Sequence, residues 1–230
     1  MSTQTVPAWF IAGTDTEIGK TFSTCALLHL LTTRGIKAIG MKPIAAGTGS
    51  DGKNDDVEQI RHASSAQAAY DLINPYLFQP AIAPHIAAAE AGQEINAERI
   101  VTAFTALRGQ AEAVLVEGVG GFCVPLGPDF DTADLAVKLG LPVILVVGMR
   151  LGCINHALLT QEAIAARGLK LAGWIANRID PAMSRFDENL AALKERMHAP
   201  LLGIIPANST PEEAADRLTL PDQLPDRRPC

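Results

Sequence analysis

Gly13-Thr14-Asp15-Thr16-Glu17-Ile18-Gly19-Lys20-Thr21 follows the apolar run Trp9-Phe10-Ile11-Ala12 and opens the amphipathic segment Phe22 to Arg34. A strand that enters a glycine-punctuated turn and then a helix leaves backbone N–H groups unpaired at the helix N-terminus, where aligned peptide dipoles add partial positive charge. Such a turn takes polyphosphate. Gly19 lets the backbone approach the phosphate oxygens, Lys20 reaches the outer phosphates, and Thr21 offers a hydroxyl to Mg2+. In the usual spacing the first glycine stands where this chain has Thr14. Gly13 is one step earlier, so the loop is a variant.

The chain around the loop reads as alternating strands and helices. Gly35 ends the first helix, and Ile36 to Lys42 reads as a second strand closed by Pro43. Lys42 then falls at the C-terminal edge of a parallel sheet, the edge where open α/β sheets bind ligands. Ala45 to Asn54 reads as a Gly- and Ser-rich loop, and Asp55 or Asp56 caps the helix after it or ligates a metal. Ser64 to Tyr70 suggests a further short helix and Asn74 to Pro80 an extended segment. His85, after Pro84 at a helix start, faces either a ligand or solvent.

Ala113-Val114-Leu115-Val116-Glu117 is an apolar strand ending in a carboxylate, followed by Gly118-Val119-Gly120-Gly121. Beside a phosphate loop, an acid in that place holds the magnesium that bridges the β- and γ-phosphates. Leu141 to Gly148 is apolar on both faces, as a strand covered by helices must be. The helix expected from Asn155 to Arg167 offers either a second anion site or a plain Asn cap. Asn177, ending the strand Lys170 to Asn177, either reads a base or begins a turn. Leu201 to Pro206 is the last strand. The expected architecture is a three-layer α/β sandwich of phosphate-loop NTPase type, with a mostly parallel sheet and helices on both faces.

Bulk properties narrow the function. The chain has 230 residues, enough for one α/β domain over 1–220, with 221–230 as a loosely held tail. A net charge of -6 excludes the broad basic surface that nucleic acid or an anionic membrane selects. Cys25, Cys123, Cys153 and Cys230 show neither zinc-ligand nor disulfide-framework spacing. The apolar run Leu141 to Met149 is too short to span a bilayer. These features suggest a cytoplasmic enzyme acting on small molecules.

Five segments taken together are more specific than the phosphate loop alone. Gly13 to Thr21, Met41-Lys42-Pro43, Val116 to Gly121, Leu151-Gly152-Cys153-Ile154-Asn155-His156 and Gly173-Trp174-Ile175-Ala176-Asn177 resemble the dethiobiotin synthetase family, in the family's own order, from about Trp9 to Pro206. The resemblance implies ATP-dependent carboxylation of 7,8-diaminononanoate with CO2 or bicarbonate, through a phosphorylated carbamate, to give dethiobiotin, ADP and phosphate. It further implies that Thr16 and Lys42, with Lys20, serve catalysis, and that Glu17, Ile18, Gly19, Lys20 and Thr21 hold the phosphates with Phe22 adjoining. Thr21, Asp56 and Glu117 surround Mg2+, beside Gly118, Val119 and Gly120. Asn177 matches the adenine reader, helped by Arg178, by the chain at Pro206, Ala207 and Asn208, and by Glu212 or Glu213. Leu151, Gly152 and Asn155 receive the substrate carboxylate from the partner subunit of a homodimer.

This chain departs from the family pattern at Ala46, where members often carry a serine, and at Phe122, which replaces a frequent tryptophan. Neither change removes a charge from the reaction. The rival expectation is a switch ATPase of the partition and septum-placing type, but those carry a second lysine where this loop has Gly13-Thr14-Asp15.

Overall fold

The structure, a computed structural model, describes residues 6–221. Nearly all of the expected tail lies outside the described residues. Six strands, β1 (Ala8–Gly13), β2 (Ala38–Met41), β5 (Ala113–Glu117), β8 (Val143–Gly148), β9 (Leu171–Asn177) and β10 (Leu201–Ile205), form one parallel sheet in the order β10-β9-β8-β1-β5-β2. β1 lies inside the sheet, pairing with β5 on one side and β8 on the other. Every residue of β1 is buried.

Alternation along the central strands divides the core between the two faces, as period-two side chains must. Phe10 and Ala12 join Val114, Val116, Leu145 and Val147 on one face. Trp9 and Ile11 join Leu115, Ile144 and Val146 on the other. The first face is covered by α5 (Ala97–Arg108), α6 (Thr132–Leu139), α7 (Cys153–Ala166) and α8 (Phe186–Arg196). α1 (Lys20–Thr33) and α9 (Pro211–Ala215) cover the second. α2 (Asp55–Ala63) straddles the two, with Val57 in one cluster and Ile60 in the other. This is the expected three-layer sandwich.

Short elements frame the site. β3 (Ile44–Ala46) pairs in parallel with β4 (Tyr76–Phe78), just after α3 (Tyr70–Ile73); α4 (Pro84–Glu90) follows. β6 (Pro125–Gly127) and β7 (Phe130–Asp131) make a small antiparallel hairpin.

Three local expectations are corrected. α2 is capped by Asn54, whose side chain accepts from the Val57 N–H at 3.1 Å, and not by Asp55 or Asp56, which lie in its first turn. Ser64 to Tyr70 is not a helix, because its serines serve the sheet edge: the N–H groups of Ala38 and Gly40 donate to Ser65 Oγ (2.9 Å) and Ser64 Oγ (3.0 Å). α7 begins at Cys153 rather than Asn155, since Gly152, at φ 95°, supplies the N-cap. Asn155 therefore sits in the first turn of α7 and does not cap it.

Candidate functional site

The phosphate loop connects the C-terminal end of β1 to α1. Its geometry explains the variant spacing. A Cβ at Gly13 would lie 2.8 Å from Lys20 Cδ, so the missing side chain makes room for the lysine stem. Gly19 caps α1 at φ 79°, a left-handed conformation natural to glycine, and a Cβ there would sit 2.1 Å from Asn177 Nδ2. Asn177 donates that amide to Ile18 O at 2.8 Å, tying the end of β9 to the loop.

Lys42, one residue beyond β2, is held by its backbone on both sides. Its N–H donates to Ile73 O (2.9 Å), and its carbonyl accepts from Asn74 Nδ2 (2.6 Å). The buried ammonium lies between two carboxylates, 2.5 Å from Glu117 Oε1 and 3.1 Å from Asp56 Oδ2. Burial opposes its charge, but Glu117 and then Asp56 outweigh that and raise its pKa. Asp56 feels the reverse: burial raises its pKa, and Lys42 more than offsets this, so the net shift is downward. Asp55 is exposed, so Asp56 is the helix-start acid that faces the site.

Thr21 reaches the same point, donating its hydroxyl to Glu117 Oε1 at 2.8 Å, and Thr24 donates to Glu117 Oε2 at 2.7 Å. Glu117 is fully buried. Lys20 Nζ rests on Asp15 O at 2.8 Å, and its pKa is lowered to about 8, first by burial and then by Lys42. The Asp15 carboxylate pairs with Arg150, joining the loop to the segment ahead of α7.

Two cavities open along this edge. The larger, about 790 Å³, is lined by Thr16, Glu17, Gly19, Lys20, Thr21, Lys42, Ala46 and Asp56, and by Val119 and Gly120. Ala81 to Pro84 close it with an apolar wall. The smaller, about 280 Å³, is lined by Phe22, Asn177, Arg178, Pro206, Ala207 and Asn208, and shares Glu17 and Gly19 with the first. One suits a charged reaction centre. The other, with both polar and apolar side chains in its lining, suits a flat group with hydrogen-bonding edges.

Some expected residues lie elsewhere. Glu212 does not line the smaller cavity; its Oε1 is 3.2 Å from His29 Nε2 on α1. Glu213 is engaged in a capping box with Thr210, whose N–H donates to Glu213 Oε2 at 2.9 Å. Leu151, Gly152 and Asn155 are exposed and line neither cavity of this chain. His85 lines neither, though Pro84 beside it lines the first. Thr24 and Asn74 went unnoticed as site residues: a threonine within a helix and an asparagine before a proline carry no signal that separates them from ordinary structure.

Among the described residues there is no group of three or more His, Cys, Asp or Glu that could hold a metal ion. The oxygen donors at this point are two carboxylates and one hydroxyl, which suits Mg2+, an ion that takes few protein ligands and shares substrate phosphates. The position of the Lys42 ammonium shows that a cation is favoured between those carboxylates.

Residues 8–215 match the family described as AAA domain. The chain is 63% identical over 219 residues to the ATP-dependent dethiobiotin synthetase BioD of Aromatoleum aromaticum, covering 93% of this chain and 97% of that relative. It is 50% identical over 222 residues to the protein of the same name from Xanthomonas oryzae pv. oryzae, covering 95% of this chain and 98% of the relative. Among solved structures, a ParA family ATPase from Chlorobium tepidum superposes with TM-score 0.54 at 15% identity, over 88% of this chain and 84% of that one. The cell division ATPase MinD from Pyrococcus furiosus does so with TM-score 0.53 at 16% identity, over 88% and 84%. At such identities these two share the fold alone, which leaves the switch-ATPase reading without support from sequence. The relatives sharing half or more of their residues over nearly the whole chain decide the matter: this chain belongs to the dethiobiotin synthetase family.

Proposed function

We propose that the chain converts 7,8-diaminononanoate, CO2 and ATP to dethiobiotin, ADP and phosphate. The observation that carries this reading is the convergence of Lys20, Thr21, Lys42 and Asp56 on one cavity, with the fully buried Glu117 bonded to Lys42 and Thr21 behind it. A carbamate attacking a γ-phosphate brings anions together, and fixed positive charge in a water-poor site opposes their repulsion. Lys20 and Lys42 supply it. The unpaired N–H groups at the start of α1 cradle the β- and γ-phosphates, and Thr16 lines the larger cavity near the attacking carbamate. Closure of the urea ring, by attack of the second amine on the activated carbamate, then expels phosphate.

Thr21, Asp56 and Glu117 would hold Mg2+, which when bound neutralises charge shared by the β- and γ-phosphates. For them to do so, Lys42 must yield Glu117 Oε1. The smaller cavity, lined by Phe22, Asn177, Arg178, Pro206, Ala207 and Asn208, takes the adenine. Gly118 to Gly120 bring the backbone to the phosphate side of the larger one. Ala46 presents no hydroxyl, so the substrate contact there falls to backbone or water.

Leu151, Gly152 and Asn155 serve the substrate of a second copy, as expected of a homodimer whose active site lies at the interface. Their exposure in the single chain supports that reading, Leu151 being 95% exposed. No helix among the described residues is long and apolar enough to cross a membrane, and ATP supply favours the cytoplasm. The test is ADP release with Mg2+, ATP and bicarbonate, with and without the diamine, and the mass of the product. Diamine-dependent release with one added carbonyl is expected; release that ignores the diamine would overturn the proposal.

A further inference from the structure

We propose that Thr24 is a positioning residue that makes Glu117 a one-oxygen ligand. Thr21 and Thr24 are one turn apart on α1 and therefore share a face, here the face turned to the end of β5. Each takes a different oxygen of the same carboxylate. Thr21 donates to Oε1, which Lys42 also contacts, while Thr24 donates to Oε2 at 2.7 Å. Thr24 and Glu117 are both fully buried, so water does not substitute for the missing partner of either.

The ordinary reading of a helical threonine is a bond back to the carbonyl one turn earlier, and Lys20 O does lie 2.9 Å from Thr24 Oγ1. A hydroxyl has one proton to give. A buried carboxylate oxygen is the stronger acceptor and the costlier group to leave unpaired, so the proton goes to Glu117. With Oε2 held in this way, the plane of the carboxylate is set and Oε1, the oxygen that meets Thr21 and Lys42, is the one left to a cation. A small divalent ion with near-octahedral demands gains from that fixed direction, and a carboxylate free to turn would present it with mixed geometries.

This inference rests on the reading of Glu117 as a cation-holding group, and the experiment separates the two. ADP affinity is measured by calorimetry with and without Mg2+, for wild type, Thr24→Val and Thr24→Ser. The wild type binds ADP more tightly with Mg2+. Thr24→Val, of nearly the same shape without the donor, loses about tenfold of that increment, as outer partners of metal ligands commonly do, and keeps its Mg2+-free affinity. Thr24→Ser retains the increment. Should Thr24→Val not fold, Thr24→Ala removes the hydroxyl without adding a methyl, and the same loss is expected of it.

A wild-type increment in Thr24→Val or Thr24→Ala would overturn the role of Thr24, as would a serine variant no better than valine. A wild type that gains nothing from Mg2+ would overturn the reading of Glu117 itself.

Discussion

The two cavities on the C-terminal edge of the sheet are built by different means. Around β1, β2 and β5 charged and hydroxyl side chains at and behind the wall hold one another: Lys42 against Glu117 and Asp56, Thr21 and Thr24 against Glu117. Around β9 and β10 the walls mix Phe22, prolyl and aliphatic surface with the polar side chains of Glu17, Arg178, Asn208 and Ser209, and Asn177 turns its amide to Ile18 O. The first cavity is a balance of buried charge, so losing one member exposes the rest. In the second, polar side chains bond to backbone instead, Asn177 to Ile18 O and Arg178 to Pro181 O. Substitutions should therefore act on different quantities at the two ends.

The largest effect is expected from Lys42→Met. Removing one partner of a buried ion pair leaves Glu117 uncompensated, which costs about 3 kcal/mol of stability in the ligand-free protein. Turnover should fall by about a hundredfold or more, the usual loss when one preorganised donor to the transition state goes. Calorimetric melting and ADP release check both parts, and ADP binding should survive. Near-normal turnover would remove Lys42 from the reaction and break the contrast between the ends.

Lys20 gives the next effect, and pH exposes it. Because its pKa is lowered to about 8, mainly by burial, ligand-free protein loses this charge well below the usual lysine range. ATP affinity should then weaken as pH rises through that value, by up to about tenfold per pH unit for a single linked proton. Lys20→Gln binds more weakly at neutral pH and shows no such slope. The sign for folding is opposite. The unfolded chain holds the proton more tightly between the folded value and 10.5, so this group disfavours folding at neutral pH and does so less as pH climbs through that window.

The same contrast governs how much was legible in the sequence. Lys20, Thr21, Lys42 and Glu117 stand where the chain announces a change, at a glycine-punctuated helix start or the charged end of an apolar strand. A charge in such a place has few structural excuses. What holds them in place was not legible. Asn74 fixes the Lys42 carbonyl across a gap in sequence that no local pattern spans, and Thr24 is one of five hydroxyl residues in α1, with nothing local to single it out. The start of α7 was misplaced because a glycine N-cap at positive φ looks like loop until its backbone is known. The structure puts Glu213 in a capping box with Thr210, a pairing the sequence reading did not use, and Glu213 does not line the smaller cavity.

At the base end, Asn177→Ala should act through the loop as well as through the nucleotide. It leaves Ile18 O without its donor, and a buried carbonyl so treated costs about 1 to 3 kcal/mol. ADP affinity falls by no more than about tenfold, since one hydrogen bond to the base or loop is lost and the phosphate contacts remain. Melting and calorimetry separate the two losses. A variant as stable as wild type would mean that the amide does not brace the loop.

The smallest effect is expected from Glu212→Gln, and its smallness is the point. Glu212 is exposed, and its pKa is lowered first by its own backbone N–H and then by the Thr210 hydroxyl, which are local helix-start interactions. Its contact with His29 is a surface pair at 3.2 Å, of a kind that contributes little in water. If the adenine is read by shape and by Asn177, the variant binds ADP within about twofold of wild type and melts at nearly the same temperature. A tenfold loss of ADP affinity would mean that α9 moves onto the base when nucleotide binds, carrying the carboxylate away from His29. The second cavity would then gain a carboxylate from α9 on binding, and the difference between the two ends would be a property of the empty protein only.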